Sequence, residues 1–122
     1  MLKSKGKQLL SVLAISTAII ITPLTAQSAD KGAIEAGKKL TFSKKKGNCL
    51  ACHAMKGANL PGNIGPMIVA MKLRYPDRQK LVNKIWGKPG TLVPDSMMPP
   101  FGQNGILTDK EINKIVDFIY EL

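Results

Sequence analysis

The sequence predicts an all-α domain. Three observations point there. Thr108 and Glu111 form a Thr-x-x-Glu capping box ahead of an apolar stripe at Ile112, Ile115, Val116, Ile119 and Tyr120. No stretch alternates apolar and polar residues over more than two or three positions, as a half-buried strand would. The other helical segments are short and are separated by connections dense in glycine and proline. At 122 residues the chain has the size of one domain. Its 44% hydrophobic content is too high for a disordered chain, and two cysteines are too few for a disulfide-built scaffold. With a single histidine, a four-ligand Cys/His zinc site cannot be assembled from it either.

Taken in order, residues 1–29 read as a secretory signal peptide. Lys3, Lys5 and Lys7 make a basic start, and Leu9 to Ile21 is a mostly apolar run of 13 residues. Pro23 to Ala29 supplies small residues for cleavage, with Ala26 or Ala29 before the cut. A run of 13 residues that includes Ser11, Ser16 and Thr17 falls short of the roughly 20 that span a bilayer, so no stable membrane insertion is expected. No cysteine precedes Cys49, which leaves no site for a lipid anchor at the leader. The expected domain therefore covers residues 30–122 and lies in the periplasm.

A helix is expected from Ala33 to Phe42, with Ile34, Gly37 and Leu40 making one narrow face. Gly57, Pro61, Gly62, Gly65 and Pro66 then deny both helix and strand and imply an ordered loop. A second helix is expected from Pro76 to about Trp86, proline suiting a first turn and Leu81, Val82, Ile85 and Trp86 sharing a face, with Gly87 and Pro89 to stop it. The capping-box helix closes the chain. Short helices joined by loops of ten or more residues would make a poor core, and loops of that length normally mark a functional or ligand-bound segment. A large bound group would supply the missing interior.

Charge narrows the partners. Without the three leader lysines, residues 30–122 hold 15 basic and 8 acidic side chains, a formal +7. An acidic partner, an anionic surface or a merely solvated lysine-rich exterior would all account for this. Nucleic acid is not expected, because an exported chain rarely meets it and Lys44-Lys45-Lys46 lacks interleaved aromatics that stack on bases. That run is expected to be an exposed loop.

Cys49-Leu50-Ala51-Cys52-His53 is the C-x-x-C-H signature of covalent haem attachment. On a helical turn, positions three and four apart share a face. Cys49 and Cys52 can therefore reach two vinyl groups along one porphyrin edge while His53 points its imidazole at the iron. A thioredoxin-like redox pair would need a βαβ setting that this chain lacks, and a zinc site would need a further ligand. One haem c is the expected cofactor, wrapped by short helices and long loops as in class I cytochrome c-like folds.

Elimination addresses the sixth ligand. His53 is the sole histidine, so a bis-histidine haem is out, leaving methionine, lysine or an open site. Met55 is too near His53 in sequence to cross to the opposite haem face; Met67 and Met71 follow the breaker loop and could line the pocket, but core methionine is the favoured reading. Met97 and Met98 lie far enough downstream, and Pro99 and Pro100 stiffen the segment after Met98. Met98 is the expected ligand. A soft thioether favours ferrous iron and implies electron transfer rather than oxygen activation. A lysine ligand would first have to lose a proton near pH 10.

Several motifs resemble one family more narrowly. The ordered set is Gly47-Asn48-Cys49-Leu50-Ala51-Cys52-His53, Pro61-Gly62-Asn63-Ile64-Gly65-Pro66, Arg74-Tyr75-Pro76, Ser96-Met97-Met98-Pro99-Pro100-Phe101-Gly102 and Ile106-Leu107-Thr108. Together these resemble the monohaem SoxX subunits of the sulfur-oxidising SoxAX cytochromes. The resemblance implies a heterodimer with the haem subunit SoxA, which carries the catalytic haem. It also implies a SoxYZ carrier whose cysteine is oxidatively joined to thiosulfate, and a downstream soluble cytochrome. This chain would accept electrons and hold no bond-forming residue of that L-cysteine S-thiosulfotransferase reaction. Gly65-Pro66 also resembles the Gly-Pro of Met-ligated class I domains, whose proline carbonyl accepts from the proximal histidine; an ordinary turn is the alternative. Gly37 would let the last helix, with Tyr120, cross closely. The Met97-Met98 doublet departs from the pattern, so Met98 rests on adjacency to Pro99. A free diffusible cytochrome and a five-coordinate gas-sensing haem module remain as other readings.

Overall fold

The computed structural model describes residues 30–122; the expected leader lies outside the described residues. Four α-helices are present among the described residues: α1 (Lys31–Phe42), α2 (Met71–Arg74), α3 (Arg78–Trp86) and α4 (Asp109–Ile119), with a 3-10 turn at Cys49–Ala51. Among the described residues the one β-type contact is an isolated parallel bridge between Met55 and Ile68. Helices α1, α3 and α4 are the ones that periodicity predicts, the first two with shifted starts. Helix α1 begins two residues earlier than expected because the Asp30 carboxylate accepts from Gly32 N–H. Helix α3 begins after Pro76, not at it: Asp77 is the cap and accepts from Gln79 N–H, so Pro76 stands outside the first turn. The single turn α2 was not expected. Its entry residue Ala70 is left-handed (φ 50°), it has no side-chain cap, and burial of Met71 holds it.

The core runs from Leu81, Val82 and Ile85 of α3 to Ile112, Ile115, Val116, Phe118 and Ile119 of α4, joined by Met55, Met71, Phe101 and Leu107. Helix α1 packs chiefly on α4. Gly37 is buried, and any Cβ there would collide with the Lys114 carbonyl, so the missing side chain is what lets the two backbones meet. Beside that crossing Phe42 and Phe118 stack edge to face at 5.8 Å and 89°. Tyr120 donates to the Tyr75 carbonyl at 2.6 Å, and Arg78 reaches both Asn113 and Asp117, tying α3 and the preceding turn to α4.

The capping box is complete: Glu111 N–H donates to Thr108 Oγ1 at 3.3 Å and Thr108 N–H to Glu111 Oε2 at 2.9 Å. Lys46, expected merely to be exposed, pairs with Glu111 Oε1 at 2.8 Å and so pins the turn after α1 to the start of α4. That hydrogen bond, then the Thr108 N–H, holds the Glu111 carboxyl below its ordinary value of 4.5. A carboxylate with a depressed folded pKa contributes stability above its unfolded value, and the contribution is lost as pH falls through the folded one. Glu111→Ala is expected to lower stability by about 1 kcal/mol at neutral pH and by progressively less below pH ~4, measured by urea unfolding at several pH values. An equal loss at pH 7 and pH 3 would contradict this.

Candidate functional site

The C-x-x-C-H segment follows Asn48, whose left-handed backbone (φ 47°) turns the chain into the 3-10 turn. Cys52 N–H and His53 N–H both donate to the Cys49 carbonyl, at 3.2 and 2.8 Å. One helical turn thus brings residues 49, 52 and 53 to a common side. Both thiols are free, and burial pushes the Cys49 thiol up to about 11, so it stays protonated at neutral pH.

His53 is half-buried, and its Nδ1 lies 2.6 Å from the Pro66 carbonyl. A carbonyl only accepts, so Nδ1 carries the proton and Nε2 is left with a lone pair for a metal. The loop that brings Pro66 there is tied to the motif by Gly62 N–H on the Leu50 carbonyl (2.7 Å) and Gly65 N–H on the Cys52 carbonyl (2.8 Å). Gly65 lies flat against the imidazole, where any Cβ would land on the ring. Gly65→Ala is therefore expected to turn His53 away from Pro66 and to destabilise the haem-loaded protein by about 1–3 kcal/mol, the usual scale of overpacking. Thermal unfolding with the Soret absorbance as readout checks this; an unchanged midpoint would show that the ring is not held here.

Cys49, Cys52, His53 and Met98 all line one cavity of about 800 Å³. Its deeper walls are apolar, from Leu81 and Ile85 of α3 and Ile115 and Ile119 of α4. Protein interiors pack to crystal density, so an apolar space near the top of the roughly 300–1,000 Å³ range of ligand sites is built for a large guest. The lining cations Lys44, Lys46, Arg74 and Lys84 outnumber the one lining acid, Asp95, which suits a group that carries carboxylates. A haem fits these residues: an apolar macrocycle for the walls, two thiols for its vinyl edge, one prepared imidazole and a thioether.

The methionines separate by environment. Met98 is half-buried and packed against the core, whereas Met97 is 76% exposed, although both line the cavity. Met71 is buried as expected, but Met67 is exposed and is no core residue; both line the cavity. Met55 is buried in its bridge with Ile68 and does not line the cavity. Trp86 does not line it either.

What sequence reasoning missed is the mooring of the segment that carries Met98. Phe101 N–H donates to the Ile85 carbonyl (3.1 Å), and Gly102 and Gln103 N–H both donate to the Trp86 carbonyl (3.1 and 3.0 Å). The last turn of a helix leaves carbonyls without intrahelical partners, and here α3 spends two of them on this strap. Gly87 (φ 90°), which ends α3, has no room for a Cβ beside Pro100. The signal that was available is the pair Gly87 and Gly102, each needed for close approach of the strap to α3.

Comparison with known proteins agrees in kind. The family model described as Cytochrome c matches residues 34–122. An uncharacterized lipoprotein from Aquifex aeolicus is similar, 37% identical over 86 residues, or 70% of this chain and 40% of the relative. The chain thus spans about 40% of the length of that relative.

Proposed function

The chain belongs to the cytochrome c family, and we propose that within it the protein is the monohaem, electron-accepting subunit of a SoxAX-type thiosulfate-oxidising cytochrome. Family membership makes it an electron-transfer protein with covalently attached haem c. When bound, the haem supplies one-electron chemistry at its iron. Cys49 and Cys52 would tether it as thioethers, and His53 would offer Nε2 while Pro66 holds its Nδ1 proton. Met98 offers a soft sulfur that favours the reduced state. The observation that carries the electron-transfer reading is the convergence of these four side chains on one apolar cavity. If His53 and Met98 both hold the iron, the chain would leave no open position for gas or substrate.

The narrower assignment is supported by the ordered motifs between Gly47 and Thr108, above all Met98-Pro99-Pro100-Phe101-Gly102. It places the protein in the periplasm, one haem per chain, in a heterodimer with SoxA. There the joining of thiosulfate to the SoxYZ cysteine releases two electrons, which this chain takes singly and passes to a soluble cytochrome. The bond-forming site lies on the partner, since both cysteines of this chain are committed to haem. The second reading, a free electron shuttle, draws on the +7 charge over residues 30–122, of which Lys46, Lys72 and Arg78 are engaged in ion pairs.

Affinity purification from the native host separates the two. A stable heterodimer with a larger haem protein, in which thiosulfate plus carrier reduces this haem, is expected. A lone monomer whose deletion leaves thiosulfate oxidation unchanged would overturn the SoxX reading in favour of the shuttle.

A further inference from the structure

We propose that Trp86 is a positioning residue that latches the methionine strap, so that it governs how firmly Met98 is presented without touching the haem cavity. The inference rests on Met98 being the axial ligand. The strap has two unequal halves on either side of that residue. Residues 92–97 are exposed, and Asp95 adopts a left-handed backbone (φ 59°). Residues 100–102 are clamped: Pro100 sits on Gly87, and Phe101 and Gly102 hang on the carbonyls of Ile85 and Trp86. The sulfur of Met98 is therefore restrained from its C-terminal side.

Trp86 closes that clamp from outside. Its indole lies so close over Gly102 that a Cβ there would strike the ring. Two further contacts and its place in the helix hold the indole itself. Nε1 donates to Asp109 Oδ1 at 2.8 Å, the Lys88 ammonium sits 3.7 Å from the ring centroid, and the residue is the last of α3. Asp109 is the first residue of α4, next to its capping box. One side chain thus joins the end of α3, the strap and the start of α4. Ring packing on Gly102 resists lifting of the strap, and the hydrogen bond fixes the ring over it.

Two transitions of the holoprotein test the latch. The first is loss of the weak long-wavelength absorption that ferric haem shows only with a sulfur ligand, and the second is loss of helical ellipticity. Trp86→Ala, and independently Gly102→Ala, are expected to raise the fraction of protein lacking the sulfur-ligand absorption about tenfold at room temperature, the effect of about 1.4 kcal/mol. The helical transition should move much less. Trp86→Phe keeps a ring over Gly102 and loses the bond to Asp109, so it should fall between wild type and Trp86→Ala; it also decides the matter if the alanine variant fails to fold. If both transitions shift together in these variants, Trp86 is merely a stabilising residue and the latch is wrong. If the wild-type absorption is absent, or persists in Met98→Ala, the ligand assignment fails, and the latch with it.

Discussion

Cys49→Ser combined with Cys52→Ser is expected to yield a colourless chain that loses the described fold. The reason is volumetric. An empty cavity costs about 24 cal/mol per Å³, so a void of about 800 Å³ would cost ~19 kcal/mol if left rigid and dry. Water entry and collapse reduce this, yet even a quarter of it equals the ~5 kcal/mol at the lower end of a small domain's whole stability. The walls at risk are the same Leu81, Ile85, Ile115 and Ile119 that join α3 to α4. Removing the guest therefore attacks the helix pairing and not a surface site. Absorbance of the purified protein and far-ultraviolet circular dichroism during heating are the measurements. A colourless variant with a cooperative transition at the wild-type temperature would show that the helices hold together without the haem and would refute this account of the cavity.

Met98→Ala is the second large effect, and it falls on redox behaviour. Loss of a soft sulfur ligand removes the preference for ferrous iron, so the reduction potential is expected to drop by on the order of 0.1–0.3 V, within the roughly 0.8 V that axial ligation spans. The fold should survive, because Met98 is only half-buried and the strap keeps its bonds to Ile85 and Trp86. The ferric spectrum should become that of a five-coordinate or water-bound haem. Met97→Ala is the internal control: a side chain 76% exposed can be truncated with little change in potential. If Met97→Ala gives the large drop and Met98→Ala does not, the ligand is the neighbouring residue. Equal small effects from both would point to lysine or an open position.

Local chemistry was enough to read several features from the chain alone. The C-x-x-C-H spacing acts within one helical turn, which the His53 N–H bond to the Cys49 carbonyl realises. The Thr108–Glu111 box is likewise a contact between near neighbours, and the absence of strand periodicity and the glycine at the α1–α4 crossing follow from residue type. Helix starts were less legible, because Asp30 and Asp77 compete with Ala33 and Pro76 as plausible first turns and only cap geometry separates them. Long-range facts lay beyond reach. Nothing in the order of residues says that Lys46 meets Glu111, that α2 forms around Met71, or that Met97 stays exposed while Met98 packs against the core. Nor could periodicity place Trp86 in detail: it shares the apolar face of Leu81, Val82 and Ile85 and packs against the core, but its indole lies over Gly102 and bonds Asp109. Such pairings depend on where α3 ends relative to α4 once both have packed around the cavity, a matter of three-dimensional closure that no spacing along the chain encodes.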